Sequence, residues 1–339
     1  MKKIVCTGMM LMGAQLSFAA PDLETRSYHQ EEYSAGDNPY KVKRYAPKYF
    51  ADHAKHFEEG TTTHPSAPIW SITPSNAFAT IHVIDAPQGL IVIDTGLNKE
   101  QMLPVAEKIK SLSDKPIKAI IYTHAHADHT GGVGAFVTAE QVTNGEVEII
   151  ADYKFMDAYI SENASTGPLM GQRAVFMYGG ALQPADRAQF TTGCCGHFST
   201  GTADFIPPTY LTDEDSETRD VLGLDMTFVH SGGENAAHVV IYAPKYKTVF
   251  TGDELQGPAG PQLHSPRGTK FRDTNAWIIA LDKIRALQPE HMLPGHGKAE
   301  YGKEKVDNIL ITYRDAMQFQ HDQAIRLINQ GKSPDDLAN

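Results

Sequence analysis

Cysteine is scarce in this chain, with three residues in 339. Cys6 stands near the start, and Cys194 and Cys195 are neighbours in "TTGCCGHF". Adjacent cysteines can close only a strained ring or stay reduced. A long-range disulfide framework is therefore excluded, and so is a zinc site built from thiolates. Positive charge is also in short supply: Lys+Arg 30 stand against Asp+Glu 41, a net charge of −11. That balance lacks the basic stripe a phosphate backbone requires, so nucleic acid is not an expected partner. No apolar run reaches the roughly 20 residues that span a bilayer. The N-terminal "MKKIVCTGMMLMGAQLSFAAPDL" joins two lysines to a largely apolar stretch from Ile4 to Phe18, with small residues at Ser17 and Ala19. This is the form of a signal peptide over residues 1–19, cleaved near Ala19. The mature chain is expected to be periplasmic or secreted, without a stable membrane anchor.

What is present is ample apolar material, 41% of the residues, and a clear change of texture along the chain. Residues 20–65 are polar and aperiodic, and read as an N-terminal extension. From residue 66 short β-branched runs begin. "ATIHVID" and "GLIVIDT" flank the turn signal "APQG" and read as a hairpin. "KEQMLPVAEKIKSL" has helical spacing at Met102, Val105, Ile109 and Leu112. "KAIIYT", "VEIIAD", "DMTFVHS", "HVVIYAP", "KTVFTGD" and "EHMLPGHG" read as further strands, and "NAWIIALDKIRAL" as a helix. Residues 301–339 read as one or two helices ended by Gly331. Strands, hairpins and helices intermix, which predicts an α/β fold in layers with partly antiparallel sheets.

The densest chemical signal is "IIYTHAHADHTGGV", residues 120–133. His124, His126, Asp128 and His129 fall within six positions, directly after a buried strand. Imidazole and carboxylate are the ligands that suit zinc and related divalent ions. Four ligands so close cannot all crowd one tetrahedral ion. His124 and His126 can share one ion, while Asp128 and His129 turn to a second. Each ion then needs partners from elsewhere. Three later strand ends offer them: His230, Glu234 and His238; Asp253 and Glu254; His291 and His296.

T-H-A-H-A-D-H, then F-T-G-D, then P-G-H-G, with "VIDTG" upstream, resembles the metallo-β-lactamase superfamily. The resemblance implies an αββα sandwich with a two-metal site between the sheets, and here two Zn2+ per chain or another divalent pair. Carried over motif by motif, His124 and His126 bind metal one, and Asp128, His129 and His296 bind metal two. Asp253 bridges them, selected over Glu254 by the family spacing from Glu234. Asp94 of "VIDTG" would orient a ligating histidine. Where most members place a histidine ligand, "GGENAAH" puts Glu234.

That swap is shared with the linear alkylsulfatases (type III sulfatases), which look similar over residues 66–335. "ENASTGPLMGQRAVFMYG", "GTADFIPPTYLT", "RGTKFRD" and "HDQAIRLINQG" carry this closer resemblance. It implies hydrolysis of sulfate esters such as alkyl sulfates by metal-activated water, with Tyr178 and Arg267 lining the sulfate pocket. Asp128, Glu234 and Asp253 offset most of the +4 of two zinc ions, so an anionic ester needs a further cation. Arg267, with paired guanidinium donors, is the candidate. Three departures stand out. Pro168 replaces the family's pocket asparagine, and only His264 remains of its polar run after the bridging carboxylate. The family also continues past the point where this chain stops, Asn339, so residues 301–339 read as a truncated dimerisation region and the dimer is left open. A lactamase-like or lactonase-like hydrolase on the same scaffold, and an inactive metal-binding protein, are the competing readings.

Overall fold

The structure, a computed structural model, describes residues 30–33, 44–47, 55–74, 78–178, 201–257, 260–265, 268–333 and 336. The signal-like segment, Cys194, Cys195 and Arg267 lie outside the described residues. Two units are distinguished, divided after Asp52. The first contributes an antiparallel pair, β1 (Gln30–Tyr33) and β2 (Arg44–Pro47). The second carries two larger sheets.

The first of these sheets has seven strands in sequential order, β3 (Gly60–Thr63), β4 (Ile69–Thr73), β5 (Ile81–Ala86), β6 (Gly89–Ile93), β7 (Ile117–Ile121), β8 (Glu148–Ala151) and β9 (Tyr210–Leu211). β3 to β6 pair antiparallel and β6 to β9 parallel. The second has six: β10 (Ser216–Asp220), β11 (Asp225–His230), β12 (Val239–Ala243), β13 (Thr248–Gly252), β14 (His291–Pro294) and β15 (Glu300–Tyr301). Within it only β13 and β14 are parallel. β3 lies inside the polar stretch 20–65, where the residue pattern had indicated no strand. "GTTT" has no large apolar residue, and its four residues are exposed on the sheet edge.

Alternation along each strand divides its side chains between two cores. Ile91 and Ile93 of β6, Ala119 and Ile121 of β7, and Ile150 of β8 face Phe228, Ile241, Phe250 and Leu293 of the second sheet. The intervening Leu90, Val92, Ile120, Tyr122 and Ile149 point outward against Met102, Val105 and Ile109 of α1 (Lys99–Leu112). On the far side, Val240, Val249 and Met292 pack under α5 (Thr274–Ala286) and α6 (Lys303–Asn329) through Trp277, Leu281, Val306 and Leu310. The result is an α/β sandwich of four layers, αββα, closed by a C-terminal helix. α6 is one continuous helix of 27 residues.

Phe250 sits at the centre of the inter-sheet core with no exposure, whereas Phe319 on α6 is 66% exposed. Phe250→Ala should cost about 3–5 kcal/mol in urea unfolding. Phe319→Ala should stay within about 0.5 kcal/mol of the parent.

Candidate metal centre

Because β6 and β7 run parallel, their C-terminal ends open on the same edge of the first sheet. Asp94 follows β6, and the loop from Tyr122 leads into α2 (Ala127–Thr130). The second sheet delivers Glu234 between β11 and β12, Asp253 directly after β13, and His296 two residues after β14. Ties across the sheets hold these ends in register. Val239 N–H donates to Thr123 O at 2.8 Å, and Thr80 N–H to Gly295 O at 2.8 Å.

Two clusters result. His124, His126, Glu234 and Asp253 present ligand atoms within 4.8 Å of one another, as do Asp128, His129 and His296. Asp253 reaches both: its carboxylate lies 3.9 Å from His124 Nε2, 3.3 Å from His129 Nε2 and 3.1 Å from His296 Nε2. The seven residues singled out by motif are thus brought together. Six are buried, and Asp128 is half-buried.

Hydrogen bonds decide which nitrogen each ring offers. His129 Nδ1 faces Asp94 Oδ2 at 2.7 Å, and His296 Nδ1 faces Phe78 O at 2.6 Å. Each therefore donates Nδ1–H outward and turns Nε2 to the centre, where His296 Nε2 meets Asp253 Oδ2 at 3.1 Å. Thr123 spends its hydroxyl proton on Asp94 Oδ2 at 2.9 Å, so its oxygen accepts from His124 Nδ1 at 3.0 Å. His126 is the reverse case. Its Nε2 faces Glu162 Oε2 at 3.1 Å, and Nδ1 points to Glu234 Oε2 at 3.4 Å. All four rings thereby turn their other nitrogen into the centre, where His124 Nε2 and His126 Nδ1 lie 2.9 Å apart, the orientation metal-binding imidazoles need. His238 does not: Asp253 N–H already donates to its Nε2 at 3.0 Å. Inside the centre, His129 Nε2 and Asp253 Oδ1 are buried without a hydrogen bond. Buried polar atoms are rarely left so. A nitrogen-and-oxygen donor set with such orphans fits a divalent ion.

A family model for the metallo-β-lactamase superfamily matches residues 76–296. The chain belongs to the metallo-β-lactamase superfamily. It is 40% identical over 255 residues to a linear primary-alkylsulfatase of Pseudomonas sp. (strain ATCC 19151), covering 75% of this chain and 48% of that one. It is 31% identical over 264 residues to an alkyl/aryl-sulfatase of Saccharomyces cerevisiae, covering 76% and 40%. This chain thus spans about half the length, or less, of these two relatives. Among solved structures it superposes on a stereoselective inverting sec-alkylsulfatase from Pseudomonas sp. with a TM-score of 0.76 at 27% identity, over 83% of this chain and 45% of that one.

The chain surrounds the ligand candidate Glu234 with support that no motif announced. Arg272 pairs with its Oε1 and is itself buried, with Nη1 donating to Gln262 O at 2.7 Å. Asp273 caps α5 through Asn275 N–H at 2.9 Å, which fixes the backbone beside Arg272. Glu254 does not compete for the bridge. Its carboxylate accepts from Gly233 N–H at 2.8 Å and Glu234 N–H at 3.1 Å, and burial pushes its pKa up to about 7. Asp253 is held by a corner that only glycine can make: Gly252 has φ +48°, and a Cβ there would meet His238 Nε2 at 2.6 Å.

Tyr178 follows α4 (Gly167–Met177), with its ring edge-to-face on Phe78 at 5.0 Å. It lines a cavity of about 360 Å³ that is walled by Phe78, Leu97, Met170 and Ala174 and reaches His126 and Asp128. Pro168 occupies the first turn of α4, where a helix tolerates proline. His264 is exposed. His230 pairs with Asp152 at 2.6 Å, and His291 packs on His64 at 4.4 Å, so neither joins the centre. Arg272, Glu162 and Asn235 escaped notice in the residue pattern. Arg272 lies within "RGTKFRD", but nothing in that string marks it as buried.

Burial alone would lower the pKa of His129, but Asp253, Asp94 and Asp128 reverse this and lift it well above the ordinary value. Burial likewise opposes the charged form of Asp253, and His296, His129 and His124 overcome it. The metal-free centre therefore stores a proton on His129 that an incoming ion must displace. A raised pKa means the proton is present at neutral pH, so metal affinity should rise with pH, by up to about tenfold per unit for each proton displaced. Calorimetric metal titration in buffers of different ionisation enthalpy checks this. Proton release at pH 7 is the expected result.

Proposed function

We propose that this protein is a binuclear-metal hydrolase of sulfate esters, acting on alkyl sulfates. The observation that carries the reading is the apolar cavity at His126 and Asp128, in a chain 40% identical over 255 residues to a linear primary-alkylsulfatase. An alkyl tail needs an apolar wall, and its sulfate head must meet the ligand cluster. His124, His126 and Glu234 would hold one zinc, Asp128, His129 and His296 a second, and Asp253 would span both. Bound there, two such ions supply an activated water near neutral pH and polarise the ester.

The chain's own groups then divide the remaining work. Asp94, Thr123 and Phe78 O hold protons on the outward ring nitrogens, so the opposite nitrogens face the centre. Arg272 offsets the charge of Glu234 and is not free for a substrate anion. Arg267 remains the candidate for gripping sulfate oxygens through its paired donors. Tyr178 would place its hydroxyl beside the ester oxygen from the cavity wall. Residues 66–300 form the catalytic unit in this reading, residues 20–65 an extension, and residues 301–339 part of a dimerisation region. The N-terminal signal-like segment supports a periplasmic or secreted location for the enzyme.

Zinc-loaded protein is tested on dodecyl sulfate, an aryl sulfate, a carbapenem and a lactone side by side. Sulfate release from the alkyl ester, with the lactam and lactone intact, is expected. Cleavage of the lactam or lactone without sulfate release would sink the reading in favour of the other hydrolases of this scaffold. Arg267→Ala should raise KM for the sulfate ester at least tenfold, the order of one charge-assisted pair, with metal content unchanged. An unchanged KM removes Arg267 from the pocket.

A further inference from the structure

Glu162 sits where the helical path of α3 (Phe155–Tyr159) widens into a π turn, Ile160–Ala164, before α4. π turns re-aim side chains and concentrate at functional sites. This one presses two consecutive residues against the "HAHADH" loop. Asn163 Nδ2 donates to Ala125 O at 2.8 Å, and Glu162 Oε2 meets His126 Nε2 at 3.1 Å. Glu162 is 4% exposed, a buried carboxylate that the hydrolytic reading leaves without a task.

The partner on its other oxygen defines that task. Asn235, next to Glu234, donates Nδ2–H to Glu162 Oε1 at 3.2 Å. Ala237 N–H donates to Asn235 Oδ1 at 3.0 Å, which fixes the amide's orientation and forces its NH₂ toward Glu162. One carboxylate therefore grips His126 with one oxygen and the Glu234 loop with the other. No hydrogen bond of this kind links Glu162 to Asp128, His129 or His296 among the described residues.

We infer that Glu162, steadied by Asn235, is a positioning residue for the first metal. It accepts the Nε2 proton of His126, leaves Nδ1 unprotonated toward the centre, and locks the spacing between His126 and Glu234. Outer carboxylates of this kind are worth roughly 10- to 100-fold in metal affinity. The effect is confined to the His124–His126–Glu234 half. This inference rests on the two-metal reading, and the experiment separates the two.

Stepwise zinc or cobalt titration of the full chain, with a melting curve recorded on each metal-free sample, compares wild type with Glu162→Ala, Glu162→Gln and Asn235→Ala. The wild type should take two ions; fewer would overturn the two-metal reading itself. With wild type at two, Glu162→Ala should weaken one ion about 10- to 100-fold and leave the other at wild-type affinity. Glu162→Gln keeps shape and an acceptor oxygen, so it should lose less. In the cobalt protein the visible band of the first ion alone should shift. The still-loaded second half is the internal control for folding. Two ions at wild-type affinity in every variant would overturn the inference. So would equal loss of both ions, because that marks a structural role for Glu162 and not the positioning of one ligand pair.

Discussion

Asp94 is the residue on which the centre's geometry depends. It holds a left-handed backbone conformation, φ 62°, which costs a residue with a Cβ of order 1–3 kcal/mol and persists only where surroundings enforce it. Three hydrogen bonds do so. Its oxygens accept from Thr123 N at 2.8 Å, Thr123 Oγ1 at 2.9 Å and His129 Nδ1 at 2.7 Å. In consequence one carboxylate pins the end of β6 to the loop after β7, orients His129 directly, and orients His124 through the hydroxyl of Thr123. Two ring nitrogens, one for each half of the centre, are aimed by a residue that touches neither half's interior.

The rest of the site manages charge. Asp128, Glu234 and Asp253 converge at the end of the sandwich, where burial disfavours ionised groups. The chain answers with protonated imidazole in the metal-free state, with Arg272 on Glu234, and with peptide N–H groups on Glu254. In a water-poor setting such a group cannot be removed singly without stranding its partner. This is why Glu234 comes as a package, with Arg272 on one side and, through Asn235, Glu162 on the other.

Much of this was legible in the residues. β6, β7 and β12 announce themselves because strands buried on both faces are continuous apolar runs. The candidate ligands announce themselves because metals demand a few residue types at strand ends. The strands β3 ("GTTT") and β10 ("SETRD") do not, because an edge strand owes its conformation to pairing and not to its own apolar content. Arg272, Glu162 and Asn235 were illegible for a related reason. Their roles arise from burial and from distance across 36 to 109 positions of sequence, as in His126 to Glu162 and to Asn235. Short strings carry no record of either. Arg272, in the same stretch as Arg267, pairs with Glu234, while Arg267 lies outside the described residues.

The central claim is that the preset histidines and carboxylates make one hydrolytic centre for sulfate esters. It is tested most directly by restoring zinc in steps to chelator-stripped protein while sulfate release from dodecyl sulfate is followed. The account predicts that activity appears only with metal and reaches its plateau at two equivalents per chain. A plateau at one equivalent, or no sulfate release at any loading of folded protein, would contradict it.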